Sequence, residues 1–182
     1  MPFAPINGIE LFYEVQGNGP PLVFAHGSGG NHLSWWQQVP FFSRHYTCIT
    51  FDHRSFGLSK DIHESEGRRA FADDLKGLLD HLGIDQVVVV GHSMGVRTCV
   101  GFTMRNPDRV KGLVLSGSNG GAVNEETFVA RAQRQEDSRP IPKGTLRALS
   151  PDFVANHPEM AFLYRQIMQL NPTHAPDFLA AP

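Results

Sequence analysis

Four consecutive valines, Val87 to Val90, limit the fold more than any other feature of this sequence. A strand that is apolar on both faces belongs in the interior of a parallel sheet, where helices cover each side. Similar short apolar runs occur at residues 21–25, 46–51 and 110–115, and residues 9–16 have the β-branched and aromatic mix of an early hairpin strand. The sequence therefore predicts a sheet of at least five strands.

Helical segments alternate with these runs. Apolar residues at helical spacing predict a helix from Phe71 to Leu82 with Gly83 as its C-cap, and a second helix from Met94 to Arg105. Residues 35–42 predict a third, weaker helix. We expect residues 1–119 to form an α/β domain, with a mostly parallel sheet and helices on both faces.

The sequence changes character after residue 119. Residues 120–182 contain short helical patterns broken by prolines, with aromatic and methionine side chains on their apolar faces. A disordered tail is the alternative, but this apolar content argues against it. We expect residues 120–182 to form a helical cap or lid.

Composition excludes several classes of partner. Sixteen Lys and Arg residues against 18 Asp and Glu residues give a net charge of -2, which favours neither nucleic acid nor an anionic membrane surface. There is no apolar run of transmembrane length and no signal-peptide pattern at the start. Cys48 and Cys99 show neither CxxC nor metal-ligand spacing, so we expect reduced thiols, no metal, no organic cofactor and a cytoplasmic location.

The segment after the valines carries the strongest chemical signal. Ser93 lies at the centre of Gly91-His92-Ser93-Met94-Gly95, between a predicted strand and a predicted helix. A sharp turn there lifts a serine hydroxyl above the sheet, and the small residues on either side let the backbone turn. The helix start leaves the Met94 N–H free where an oxyanion would form. We predict that Ser93 is a nucleophile and Met94 an oxyanion donor; an ordinary serine in a glycine-rich turn is the alternative.

A second glycine-rich turn, His26-Gly27-Ser28-Gly29-Gly30, follows an earlier strand. In this arrangement the Ser28 N–H supplies the second oxyanion donor, while His26 and Gly27 support the loop. One alternative is a glycine-rich connection of purely structural use. Another is a dinucleotide site, because glycines here and Asp52 after the next strand imitate its fingerprint. However, His32 takes the third glycine position, and the serine turn would then have no explanation.

Together these motifs resemble the α/β-hydrolase superfamily, in the group of small esterases, enol-lactonases, cofactor-free haloperoxidases and carbon-carbon bond hydrolases. Gly19-Pro20-Pro21 also matches, and residues 52–59 resemble the family's D-x-R-G-x-G-x-S loop, with Ser55 in place of glycine. That substitution predicts an altered or strained turn. The resemblance covers residues 8–119 and implies a serine hydrolase acting on a small ester or lactone, without naming the substrate.

The resemblance also implies a triad in the order Ser, acid, His, with the last two members beyond the cap. No counterpart of either occurs in these residues, so we expect a truncated chain whose triad acid and His are unknown. His157 and His174 are the only histidines after Ser93, and each lies in a proline-punctuated segment of the helical region. Neighbours on an extended strand point to opposite faces, so His92 is a poor base for Ser93.

Truncation has a structural consequence. Without further strands, residues 110–115 would form an open apolar sheet edge, which natural proteins rarely leave uncovered. The chain is then a fragment, or a second chain covers that edge. Two functions stay open: a serine hydrolase when complete, or a catalytically inactive binding module that keeps the pocket.

Overall fold

A computed structural model describes residues 2–62, 65–121, 126, 129 and 148–173. Its six-stranded sheet has the order β1-β2-β4-β3-β5-β6. The strands are β1 (Phe3–Ile6), β2 (Ile9–Gln16), β3 (Pro21–Ala25), β4 (Thr47–Phe51), β5 (Val87–His92) and β6 (Val110–Ser116). The last four are parallel to one another, and β1 and β2 are antiparallel. The predicted mostly parallel sheet is therefore confirmed.

The helices differ from the predictions at one place. They are α1 (Gln38–Phe42), α2 (Phe71–His81) and α3 (Met94–Arg105), followed by Pro151–Asn156 and Pro158–Gln169, with 3₁₀ turns at His32–Trp35, Gly67–Ala70 and Pro107–Arg109. The helices predicted near α2 and α3 are confirmed. The helix predicted for residues 35–42 is confirmed only over Gln38–Phe42, because Asn31 and Ser34 form a reciprocal capping box that starts a separate 3₁₀ turn ending at Trp35.

The core lies on both faces of the sheet. Alternation along β3 sends Val23 and Ala25 into the cluster formed with α2 and α3. Its neighbours Leu22 and Phe24 point the other way, into a smaller cluster with Trp35. Helical segments therefore cover each side of the parallel strands, as the continuous apolar runs predict.

Strand β1 is not among the strands that the sequence pattern predicts. It pairs with β2 in a hairpin whose turn residues, Asn7 and Gly8, have φ of 45° and 82°. Asn-Gly is the preferred sequence for such a two-residue turn. The hairpin therefore had a local signal, although β1 itself has only four residues.

Strand β6 lies at the edge of the sheet and pairs with β5. Its side chains Leu113, Val114 and Leu115 are 37%, 48% and 47% exposed. An apolar edge is thus present within the described ranges, as the sequence predicts. What covers it, a further segment or a second chain, stays a prediction.

The chain forms two compact units. One unit contains residues up to Gly120 together with those from Ile167 onward, and the other is Gly121–Gln166. The sequence pattern instead predicts a single helical segment over residues 120–182. Residues near 170 join the first unit, where the Asn31 side-chain amide donates to the Ile167 carbonyl at 2.8 Å. The role of a cap stays a prediction.

His157 lies in the second unit, with its ring centroid 5.0 Å from that of Phe153, and His174 lies outside the described residues. Across the described ranges, the helices are all too short or too polar to cross a bilayer.

Candidate active site

Ser93 forms the turn between β5 and α3. Its φ of 50° and ψ of -110° lie in a region that residues with a side chain rarely occupy. The Ser93 N–H donates to the Ser116 carbonyl at 2.8 Å, and the Ser93 carbonyl accepts from the Val96 N–H at 3.2 Å. Such a conformation persists only where the surrounding structure enforces it. These hydrogen bonds supply part of that enforcement.

Steric limits explain the two glycines that flank the turn. A Cβ atom on Gly91 would lie 2.6 Å from the Val96 Cα. A Cβ atom on Gly95 would collide with the carbonyl oxygen of Ala25, at the end of β3. The start of α3 therefore packs directly against the backbone of β5 and β3, and only glycine allows this approach.

The loop after β3 lies next to Ser93. A Cβ atom built on Gly27 would be 3.3 Å from the Ser93 Cβ. The Gly27 carbonyl accepts hydrogen bonds from His26 Nδ1 at 2.8 Å and from the Gly30 N–H at 3.0 Å. The Gly27 carbonyl and the Ser28 N–H belong to one trans peptide group, in which the two bonds point in opposite directions. The Ser28 N–H therefore points away from His26 Nδ1 and from the Gly30 N–H.

The predicted oxyanion donors are both available. Among the described residues, neither the Ser28 N–H nor the Met94 N–H has a hydrogen-bond partner. Met94 is the first residue of α3, where such an N–H is free by the geometry of the helix. The structure thus brings Ser93, the Gly27–Ser28 peptide and the start of α3 to one end of the parallel strands.

His26 supports this loop from a fully buried position. Its Nε2 accepts the His53 N–H at 3.0 Å, which leaves the ring proton on Nδ1 to donate to Gly27. Burial lowers the pKa of His26 to about 4, although the Gly27 carbonyl and the charge of Asp52 oppose the shift. His26 is therefore neutral at pH 7.

His92 lies closer to the site than its place on the strand predicts. Its Nδ1 would be 2.9 Å from a Cβ atom on Gly27, on the side that also faces Ser93. Its ring meets Trp35 edge-on, with centroids 6.5 Å apart. Within the described part of the chain, however, no hydrogen bond joins any imidazole to the Ser93 hydroxyl.

Comparison with known proteins decides the family. The sequence pattern of the alpha/beta hydrolase fold matches residues 20–179. The chain belongs to the alpha/beta hydrolase fold family. Its predicted superfamily is therefore confirmed.

Several members of this family resemble the chain. It is 34% identical over 112 residues to the soluble epoxide hydrolase of Corynebacterium sp. (strain C12), covering 62% of this chain and 39% of that protein. It is 38% identical over 117 residues to the 2-hydroxy-6-oxo-2,4-heptadienoate hydrolase of Pseudomonas putida, covering 62% and 42%. The matches thus span about two fifths of the length of these curated relatives.

Solved structures in the same family agree with the fold. The enol-lactonase from Burkholderia xenovorans LB400 superposes with a TM-score of 0.72 at 26% identity, covering 92% of this chain and 67% of that one. A thermophilic esterase from Thermogutta terrifontis superposes with a TM-score of 0.71 at 29% identity, covering 95% and 65%.

Sequence reasoning missed a buried pair in this alpha/beta hydrolase chain. The Asp52 carboxylate accepts the His32 N–H at 2.6 Å and contacts the His32 Nδ1 at 2.8 Å. A carboxylate beside an imidazole is the arrangement that orients a catalytic base. However, Asp52 follows β4, and β3 separates β4 from β5, the strand that precedes Ser93. Two strand spacings amount to about 10 Å, and among the described residues no hydrogen bond joins His32 or Asp52 to the Ser93 hydroxyl.

The same pair bears on the dinucleotide alternative. Asp52 is fully buried, and its carboxylate also accepts the Leu58 N–H at 2.8 Å. A ribose-binding acid must reach a ligand, whereas these oxygens are used to join the loops after β3 and β4. The geometry argues against a dinucleotide site here. Among the described residues there is also no group of three or more side chains that could hold a metal ion.

The loop of residues 52–59 confirms the predicted strain. Ser55 has φ of 67°, a glycine-like conformation, and its hydroxyl donates to Asp61 at 2.8 Å. The preceding Arg54 is 3% exposed and makes a two-pronged contact with Asp74, at 2.6 and 2.7 Å. The hydrogen bond to Asp74 raises the pKa of Arg54, so this buried ion pair ties the loop to α2.

Proposed function

We propose that Ser93 is the nucleophile of a hydrolase that acts on an ester or lactone, with the Ser28 and Met94 N–H groups as its oxyanion donors. The observation that carries this proposal is the strained backbone of Ser93, held beside two N–H groups that have no hydrogen-bond partner among the described residues, at one end of the parallel strands. Strain of this kind is concentrated at functional sites.

The chemistry follows from that arrangement. The Ser93 oxygen attacks the carbonyl carbon, a C–O bond forms, and the carbonyl electron pair moves onto oxygen, where the two N–H groups stabilise it. Collapse expels the alkoxide and leaves an acyl-enzyme, which water then hydrolyses. The serine proton passes to a base, and the triad His and acid for this step stay unassigned. No metal or organic cofactor enters the proposed reaction.

Two similarities support the substrate class. The enol-lactonase and the esterase are each more than 25% identical to this chain and cover most of it. The similarity to an epoxide hydrolase and a dienoate hydrolase widens the range of chemistries within the family. We infer a small-molecule substrate. Buried free thiols at Cys48 and Cys99 support a cytoplasmic location.

A fluorophosphonate probe tests the proposed nucleophile. The labelled site is found by peptide mass spectrometry in the wild type, in Ser93→Ala and in Ser28→Ala. We expect label on Ser93, none on the Ser93→Ala variant, and an unchanged rate for Ser28→Ala, because that change keeps the backbone N–H. Equal labelling of wild type and Ser93→Ala would refute the assignment.

A second candidate function is a hydrolase-like binding module without turnover. It is favoured by the finding that, in the described ranges, no imidazole hydrogen-bonds the Ser93 hydroxyl. Hydrolysis of p-nitrophenyl butyrate and γ-butyrolactone separates the two functions. A folded wild-type chain that neither labels nor hydrolyses, yet binds the lactone, supports the module.

A further inference from the structure

A buried hydrogen-bond chain lies behind the oxyanion loop, and the proposed chemical steps do not use it. It consists of His26, His53 and Thr98, which are 0%, 1% and 3% exposed. His53 Nδ1 lies 3.0 Å from His26 Nε2, and His53 Nε2 lies 3.0 Å from the Thr98 hydroxyl. The chain thus connects α3 to the loop after β3.

The direction of every hydrogen bond in this chain can be deduced. The His53 backbone N–H can only donate, so His26 Nε2 is an acceptor and the His26 proton is on Nδ1. His53 Nδ1 faces the same acceptor and must carry the His53 proton. His53 Nε2 is then an acceptor, and the Thr98 hydroxyl donates to it. Each proton therefore points from α3 towards the Gly27 carbonyl.

The surroundings keep both rings in the neutral form that this order requires. Burial lowers the pKa of His53 well below its usual value, and that of His26 to about 4. Phe51 and Phe71 pack on His53, with ring centroids 4.8 and 4.5 Å away. A protonated His26 would lose its acceptor nitrogen, so the two hydrogen bonds from His53 would break.

We propose that His53 and Thr98 are positioning residues for the oxyanion site: their hydrogen bonds pass through His26 to the Gly27 carbonyl, and so orient and polarise the Ser28 N–H. The proposal rests on the proposed function, because it assumes that this N–H stabilises an oxyanion. Hydrogen bonds in a chain strengthen one another, and a bond to an amide carbonyl makes the N–H of the same amide a better donor.

The position of Thr98 gives the relay a second effect. Thr98 lies four residues after Met94 on α3, one turn along the same helix. The helix that supplies one oxyanion donor therefore also holds the loop that supplies the other. The relay thus fixes the separation between the two N–H groups as well as the direction of one of them.

Nuclear magnetic resonance on the ¹⁵N-labelled chain tests the relay without any need for turnover. Thr98→Val keeps the shape of the side chain and removes its hydroxyl, whereas Thr98→Ser keeps the hydroxyl. We expect wild-type signals of two neutral rings protonated on Nδ1. Thr98→Val should shift the His53 Nε2 signal and move the Ser28 amide proton upfield, and Thr98→Ser should restore both.

Thr103→Val is the matched control, because the Thr103 hydroxyl donates to the Cys99 carbonyl on the same helix and has no link to the relay. It should leave the ring nitrogens and the Ser28 amide unchanged. If Thr98→Val does not fold, Thr98→Ala takes its place. A folded variant without the Thr98 hydroxyl that leaves the Ser28 amide signal at its wild-type position overturns the proposal, since a purely structural contact predicts that result.

Labelling of Ser93 by the fluorophosphonate then tests what the relay is for. Removal of a complete oxyanion donor slows catalysis about 100-fold or more, so a weakened donor should slow labelling by roughly 3- to 10-fold in Thr98→Val, with recovery in Thr98→Ser. A shifted amide with an unchanged rate overturns the oxyanion role. A wild type that does not label at Ser93 refutes the proposed nucleophile, and the relay is then decided by the resonance data alone.

Discussion

Replacing Ser93 by glycine should make the protein more stable, even though it removes the proposed nucleophile. A residue with a side chain in a sparsely populated backbone region costs about 1 to 3 kcal/mol of strain. At φ 50° and ψ -110°, Ser93 is in such a region. Glycine relieves this strain but loses about 0.5 to 1 kcal/mol through greater freedom of the unfolded chain. The net expectation is a gain of about 1 kcal/mol in the free energy of unfolding.

Ser93→Ala is the matched control, because alanine keeps the Cβ atom and therefore the strain. The hydroxyl has no hydrogen-bond partner among the described residues, so its loss should change stability by less than about 0.5 kcal/mol. Urea unfolding, followed by far-ultraviolet circular dichroism, measures both variants against wild type. A glycine variant that is less stable than the alanine variant would show that the serine turn stores no strain, and would remove the main support for the proposed site.

Three further perturbations follow from the packing, the buried charges and the buried histidine. Gly95→Ala should lower the free energy of urea unfolding by at least about 2 kcal/mol, because its methyl group would collide with a backbone carbonyl. Gly112→Ala is the control: its methyl group would have its nearest contact at 3.6 Å, so the free energy of unfolding should change by less than about 1 kcal/mol. Asp74→Asn should lose more than about 1.5 kcal/mol, because among the described residues the buried Arg54 then keeps only its longer ion pair, to Asp61 at 3.5 Å. Asp73→Asn, in an exposed ion pair, should lose under about 1 kcal/mol, and similar losses for the two variants would contradict the buried pair. The pKa of His26 is 6.5 in the unfolded chain and about 4 in the folded one, so the unfolded chain binds more protons between these values. The stability that the neutral buried ring contributes, roughly 3 kcal/mol, should therefore be lost as pH falls from about 6.5 to 4. Unfolding free energies measured across this pH range that stay flat would refute the neutral buried ring.

Local patterns in the sequence were sufficient for most of the fold. The four valines of β5 and the apolar spacing of α2 predict which elements pack into the core, and both elements do so in the structure. The helix predicted for residues 35–42 begins only at Gln38, because Asn31, a capping residue outside the apolar pattern, starts a separate 3₁₀ turn that ends at Trp35. Strand β1 has only four residues and is stabilised by its pairing with β2. The sequence of those four residues alone does not predict that pairing.

In the candidate site, too, local motifs could be predicted from the sequence and long-range contacts could not. Ser93 and its flanking glycines lie within five consecutive residues, so the local sequence is enough to predict the steric requirements of this turn. The pair of His32 and Asp52, and the contact of His53 with Thr98, join residues 20 and 45 positions apart. Such contacts depend on which strands become neighbours, and their residues have other common uses. Sequence patterns alone therefore did not reveal them.

The exposed edge of β6 also affects how the chain behaves as its concentration rises. Three apolar side chains in a row, next to backbone groups that have no partner strand among the described residues, form a template on which a strand from another molecule can add. Lys111 is the one charged side chain of that strand and opposes such addition at its start, while the segment from Leu113 to Leu115 has no charge of its own. We therefore expect self-association through this edge as the chain is concentrated, and lysine in place of Val114 to suppress it.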